Sequence, residues 1–119
     1  MKKRKKIDLP IYRRKIVAYI DFTFEEMEAS IGKEFGISVE EWVTKGTHVG
    51  AVWTVKNKKT GAEFICFWSA SKKDTENFTH EVFHLTDIIL TDAGVKLSDD
   101  SNEAWAYLNG YLNKLLHDL

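Results

Sequence analysis

The chain has 119 residues, of which 44% are hydrophobic and 13% aromatic, and its 17 basic and 18 acidic residues give a formal net charge of −1. This length predicts one compact domain, and the hydrophobic content excludes a globally disordered chain. The single cysteine excludes both an internal disulfide framework and a multi-cysteine zinc site. No apolar run approaches the roughly 20 residues of a membrane-spanning helix.

Charge is distributed unevenly along the chain. Residues 1–15 carry eight basic groups and one acid, whereas residues 16–119 carry 9 basic and 17 acidic groups, a net charge of −8. We predict a basic, flexible leader over residues 1–10, followed by a single domain over residues 11–119. Charged residues interrupt the apolar segment that a secretory signal needs, so we expect a cytoplasmic protein. The basic run attracts phosphate groups, which would suit a nucleic-acid partner. The acidic remainder of the chain argues against such a partner, so it is the less favoured alternative.

The first half of the chain predicts one strand and two helices. Residues 16–20 are β-branched or aromatic, which is typical of a strand. A capping box at residues 23–26 begins a helix that Gly36 ends. A second pattern of this kind, at residues 38–41, predicts a short helix that ends at Gly46.

The second half predicts a β-hairpin and two helices. The strands span residues 48–56 and 62–69, with residues 57–61 as the connecting loop. The second strand is apolar nearly throughout, as expected for a strand covered on both faces. Amphipathic helices follow over residues 74–93 and 102–117. The predicted class is α+β, a small sheet with a β-hairpin packed on one helix and a second, C-terminal helix.

The sequence His-Glu-Val-Phe-His at residues 80–84 lies within the first of these two helices. Residues four apart lie on one helix face, so His80 and His84 can bind the same metal ion. Glu81 is offset by about 100° around the helix, close enough to act on a water at that metal. Zinc lowers the pKa of such a water to about 7, and the glutamate then takes and returns the proton. The motif therefore predicts a catalytic zinc site, the alternative being two histidines that face solvent or are hydrogen-bonded in the core.

A catalytic zinc ion needs a third protein ligand. Glu103 lies in the first turn of the next helix, 19 residues after His84, and an antiparallel helix would return it to the motif. The alternative is that Glu103 belongs to a capping box begun by Asp100. His117, further along the same helix, is the second candidate ligand. Asp87 lies one turn after His84 and can accept a hydrogen bond from the ring N–H of His84 that does not face the metal.

The motif and the later Asn102-Glu103-Ala104 resemble the HExxH…E pattern of the gluzincin metallopeptidases. In size the chain resembles the small zincin-like metallopeptidases encoded by phages and mobile elements. The resemblance covers roughly residues 48–117 and implies a minimal zincin-like domain in which the second helix bears a ligand. The zinc ligands that it implies are His80, His84 and Glu103, and the general base is Glu81.

Tyr107 departs from the gluzincin pattern, because many larger gluzincins have an aspartate at this place after their ligand glutamate. A tyrosine hydroxyl near zinc would stabilise a developing oxyanion, which makes Tyr107 a further candidate catalytic residue. The alternative is that Tyr107 packs at the helix interface with its hydroxyl at the rim. The metzincin pattern fails, because Asp87 and Leu90 stand in place of its glycine and third histidine.

The function predicted from the sequence is zinc-dependent hydrolysis of a peptide bond in a peptide or protein substrate. Such a substrate is expected to pair as an extended strand with an edge of the hairpin. One alternative is a binding module that keeps the zincin fold with a structural or idle zinc site. The other is a nucleic-acid-associated protein that uses its basic N-terminus.

Overall fold

A computed structural model describes residues 1–119 as four strands and three α-helices. The strands are β1 (Lys3–Leu9), β2 (Arg14–Ile20), β3 (Gly50–Lys56) and β4 (Glu63–Ser69), and the helices are α1 (Phe24–Phe35), α2 (Thr75–Asp92) and α3 (Asn102–His117). A 3₁₀ turn, Pro10–Tyr12, connects β1 to β2. The predicted α+β class is confirmed. None of the helices combines the length and apolar character needed to cross a membrane.

The four strands form one mixed sheet in the order β1-β2-β4-β3. The two central strands, β2 and β4, run parallel, and each edge strand is antiparallel to its neighbour. In both central strands nearly every residue is buried, which confirms that β4 is covered on both faces. Of the two predicted hairpin strands, only β3 offers a free edge, because β2 occupies the other side of β4.

Successive side chains of the central strands point to opposite faces of the sheet, and each face has its own hydrophobic core. Ile16, Ala18 and Ile20 of β2 contribute to the core beneath α2 and α3. Val17 and Tyr19 point to the opposite face and pack with α1. The sheet therefore lies between α1 on one face and the α2–α3 pair on the other.

The basic N-terminus forms strand β1, so the prediction of a flexible leader is wrong for Lys3–Leu9. All seven residues pair with β2, and Leu9 is only 5% exposed. Lys2 forms an ion pair with Glu26 of α1 (Nζ–Oε2, 2.8 Å). Arg4 and Lys6 both pair with Glu34 at the other end of that helix. The leader is ordered because its apolar residues reach a core while its charges meet the acids of α1.

The short helix predicted after residue 38 is also absent, and residues 37–49 are irregular, with turns at residues 41–42 and 45–47. The Val43 N–H donates to the Glu40 carbonyl (3.0 Å), and the His48 N–H donates to the Thr44 carbonyl (3.1 Å). These bonds do not continue into a helical ladder, because so short a segment gains too few hydrogen bonds to offset nucleation. The segment instead leads across the sheet edge to the start of β3.

Candidate metal centre

Helix α2 fixes the orientation of the His-Glu-Val-Phe-His motif. The Asp74 side chain caps the helix by accepting a hydrogen bond from the Asn77 N–H (3.2 Å). One side of the helix is buried against the sheet and α3 through Phe78, Val82, Leu85 and Ile89. Because this apolar stripe sets the rotation of the helix, the two histidines face outward on its exposed side.

The motif forms a compact cluster of possible metal ligands. The Nε2 atoms of His80 and His84 lie 3.1 Å apart. The ligand atoms of His80, Glu81 and His84 all lie within 4.8 Å of one another. Both imidazoles are exposed, whereas Glu81 is only 5% exposed. Two imidazoles and a carboxylate at this spacing can hold a metal ion, although 3.1 Å also suits a hydrogen bond between the two rings.

Glu81 is packed against the first residue of β3. A Cβ atom at Gly50 would lie 2.9 Å from the Glu81 Cγ and 3.0 Å from its Oε2. A larger residue at position 50 would force the Glu81 side chain to move, so glycine is what allows this close approach. The Asn77 amide also donates to the Val49 carbonyl (3.2 Å), which fixes the chain just before this contact.

The surroundings of Glu81 change its acidity. Burial beside β3 raises the pKa of the carboxyl, and the nearby His80 opposes this rise more weakly. The balance of the two effects leaves the proton held more tightly than on an ordinary glutamate. A carboxyl with a raised pKa is suited to accept a proton from one atom and return it to another near neutral pH.

A cleft of about 280 Å³ opens in front of this cluster. Its walls come from α2, the start of β3 and the turns before β3. The residues lining it are Trp42, His48, Gly50, Ala51, Val52, His80, Glu81, His84, Asp87 and Ile88. The cluster therefore faces the free edge of the sheet rather than helix α3.

Glu103 lies outside the cluster. Its side chain is exposed in the first turn of α3, and it is absent from both the ligand group and the cleft. At 3.6 residues per turn, Glu103 lies about 180° around α3 from the fully buried Leu112. An antiparallel return does bring α3 beside α2, but the helix rotates so that its apolar stripe faces inward and Glu103 faces outward. The capping alternative fails as well, because α3 begins after Ser101 and has no side-chain cap.

Tyr107 and His117 do not reach the cluster either. Tyr107 is 76% exposed on the same outer side of α3 as Glu103. The His117 ring packs on Phe78, with ring centroids 4.1 Å apart, at the far end of the helix. Asp87 does line the cleft, but its carboxylate accepts a hydrogen bond from the Thr91 hydroxyl (3.1 Å). The structure thus brings together three of the predicted site residues, His80, Glu81 and His84.

Sequence reasoning missed two residues of the cleft, Trp42 and His48. Neither belongs to a motif: Trp42 lies in the segment for which the sequence predicts a short helix, and His48 is the first residue of a predicted strand. The one available signal is the position of His48 near the start of a predicted hairpin strand, and in the structure it lies two residues before β3.

Comparison of the chain with protein-family models, with curated proteins and with solved structures found no match. The assignment of a function therefore depends on the geometry of the site.

Proposed function

We propose that this chain is a zinc-dependent metallopeptidase with a gluzincin-like motif. The observation that carries the proposal is the 3.1 Å separation of the His80 and His84 Nε2 atoms. Two nitrogens bound to one tetrahedral zinc ion at about 2.0–2.1 Å are about 3.3 Å apart. The two nitrogens therefore need to move apart by only about 0.2 Å to reach the spacing of two ligands on one zinc ion.

The proposed reaction is hydrolysis of a peptide bond. When bound, zinc supplies a Lewis acid that polarises the substrate carbonyl and makes water more acidic. Glu81 removes a proton from the attacking water, whose oxygen bonds to the carbonyl carbon. The carbon–nitrogen bond then breaks, and Glu81 returns the proton to the departing amine. The raised pKa of Glu81 supports this exchange, because the group must hold the proton between the two steps.

An extended peptide is the substrate that the cleft favours. The outer edge of β3 has no strand partner, and Gly50, Ala51 and Val52 of that strand line the cleft. A substrate that pairs with this edge gains main-chain hydrogen bonds and passes in front of Glu81. Main-chain pairing of this kind depends little on the side chains of the substrate.

One observation favours a second candidate function, a binding module with an idle zinc site. Catalytic zinc sites use three protein ligands, and Glu103 does not belong to the group of ligand atoms around the two histidines. Under the peptidase proposal, Glu103 becomes the third ligand only if the first turn of α3 rearranges when zinc binds. Under the alternative, zinc binds through the histidines without any cleavage.

The structure gives less support to a nucleic-acid partner. Lys2, Arg4 and Lys6 are ion-paired with acids of α1, which reduces the charge that the basic run offers to phosphate groups. Lys3 and Lys5 remain exposed on β1.

Zinc-dependent cleavage is the experiment that tests the proposal. The zinc-loaded chain is incubated with a proteome-derived peptide library, and new termini are identified by mass spectrometry. We expect reproducible cleavage that stops when a chelator removes zinc and returns when zinc is restored. Zinc binding without any cleavage would favour the binding module instead.

A further inference from the structure

His48 is fixed at the cleft by a hydrogen bond from the main chain. The Thr44 N–H donates to the Nδ1 atom of His48 at 3.1 Å. The Trp42 ring meets the imidazole edge-on, with ring centroids 5.9 Å apart, and Trp42 also packs edge-on against Trp53 of β3. The imidazole is thus held by one hydrogen bond and by an aromatic side chain that is itself anchored on the sheet.

The hydrogen bond determines which nitrogen of His48 carries the proton. A backbone N–H can only donate, so Nδ1 must accept with its lone pair. A neutral imidazole with an unprotonated Nδ1 carries its hydrogen on Nε2. His48 therefore presents a donor, and it has no free lone pair on Nε2 with which to bind a metal.

This donor belongs to the same cleft as the metal cluster but not to the cluster itself. His48 lines the cleft together with His80, Glu81 and His84. The group of ligand atoms within 4.8 Å of one another excludes it. A fixed donor beside a metal site is placed to stabilise negative charge on an oxygen of a bound ligand.

We propose that the Nε2–H of His48 donates a hydrogen bond to the carbonyl oxygen of the scissile peptide as negative charge develops there. This inference rests on the peptidase function and assigns to His48 the role that the sequence suggested for Tyr107. Trp42 is a positioning residue, because its ring packs edge-on against the imidazole of His48. The completed site is built from α2 and the turns before β3.

The test compares His48→Phe with the wild-type chain, using phosphinic tripeptides as the probe. Their tetrahedral, anionic phosphinyl group imitates the charged oxygen that His48 is proposed to bind. We expect His48→Phe to weaken phosphinate binding by about 10- to 100-fold, as for loss of a hydrogen bond to a charged group. Zinc affinity, measured by competition with a chromophoric chelator, stays within about twofold of wild type.

Two further variants separate this role from a structural one. His48→Gln keeps an N–H donor on a side chain of similar reach and is expected to recover part of the phosphinate affinity. Thr47→Ala alters an exposed neighbour outside the cleft and is expected to change neither affinity. In a cleavage assay His48→Phe is expected to lower kcat by about 10²- to 10³-fold with little change in KM.

Unchanged phosphinate binding by His48→Phe would overturn the inference, and loss of zinc from that variant would make His48 a ligand rather than a donor. If wild type and His48→Phe cleave peptides equally, this inference fails while the peptidase function stands. If the zinc-loaded wild type neither cleaves peptides nor binds the phosphinic tripeptides, the peptidase function itself fails.

Discussion

Glu81→Gln is expected to retain zinc binding and to lose peptide cleavage by about 10²- to 10⁴-fold. Glutamine has nearly the same shape as glutamate, so it fits against Gly50, but it cannot accept and return a proton. The loss is expected in kcat, because the substituted group acts on the reacting water. Single-turnover cleavage of one peptide from the library, together with zinc affinity, measures both effects.

The same variant also tests the acidity of Glu81 in the metal-free chain. A carboxyl whose pKa is raised on folding makes the folded state less stable as pH rises above the ordinary value of 4.5. Metal-free Glu81→Gln is therefore expected to be more stable than wild type at pH 7, with a difference that shrinks as pH falls toward 4.5 and is absent below it. Glu76→Gln, an exposed position five residues earlier in α2, is the matched control. Full activity of Glu81→Gln would refute the mechanism.

Deletion of residues 1–9 is expected to abolish cooperative folding. The deletion removes all of β1, leaves the edge of β2 unpaired and uncovers the core that Leu9 helps to close. It also leaves Glu26 and Glu34 of α1 without their basic partners. Small domains have only about 5–15 kcal/mol of stability, and the loss of an entire strand is expected to consume most of it. Urea unfolding followed by circular dichroism measures the loss.

Lys3→Ser with Lys5→Ser is the matched control for the deletion. Both lysines are exposed on β1 and form no ion pair in the structure, so the double variant removes charge while keeping the strand. Its unfolding free energy is expected to change by less than about 0.5 kcal/mol per substitution. A deletion variant that unfolds at the wild-type urea midpoint would show that β1 adds nothing to the fold.

Features set by local sequence were predictable. The capping box of α1 forms both reciprocal hydrogen bonds between Thr23 and Glu26. Gly36 ends that helix in the left-handed conformation that glycine adopts most easily. The pairing of His80 and His84 on one face also follows from helical spacing alone, whatever surrounds the helix.

Features set by distant contacts were not predictable in the same way. The order of β1 depends on acids of α1 that lie more than twenty residues away. The outward direction of Glu103 depends on the rotation of α3, which the buried stripe from Trp105 to Leu116 determines. His48 enters the site because the chain crosses the sheet edge in turns rather than as a helix. No sequence motif predicts this course of the chain.

Zinc binding by purified chains tests the central claim most directly. Equilibrium competition with a chromophoric chelator gives the affinity and the stoichiometry for wild type, His80→Ala and His84→Ala. We expect one zinc per wild-type chain and at least about 10²-fold weaker binding in each variant, because each loses one of two imidazole ligands. His117→Phe, which keeps a ring beside Phe78, is expected to bind zinc like wild type. Absence of zinc binding by wild type, or equal binding by all four chains, would contradict the account.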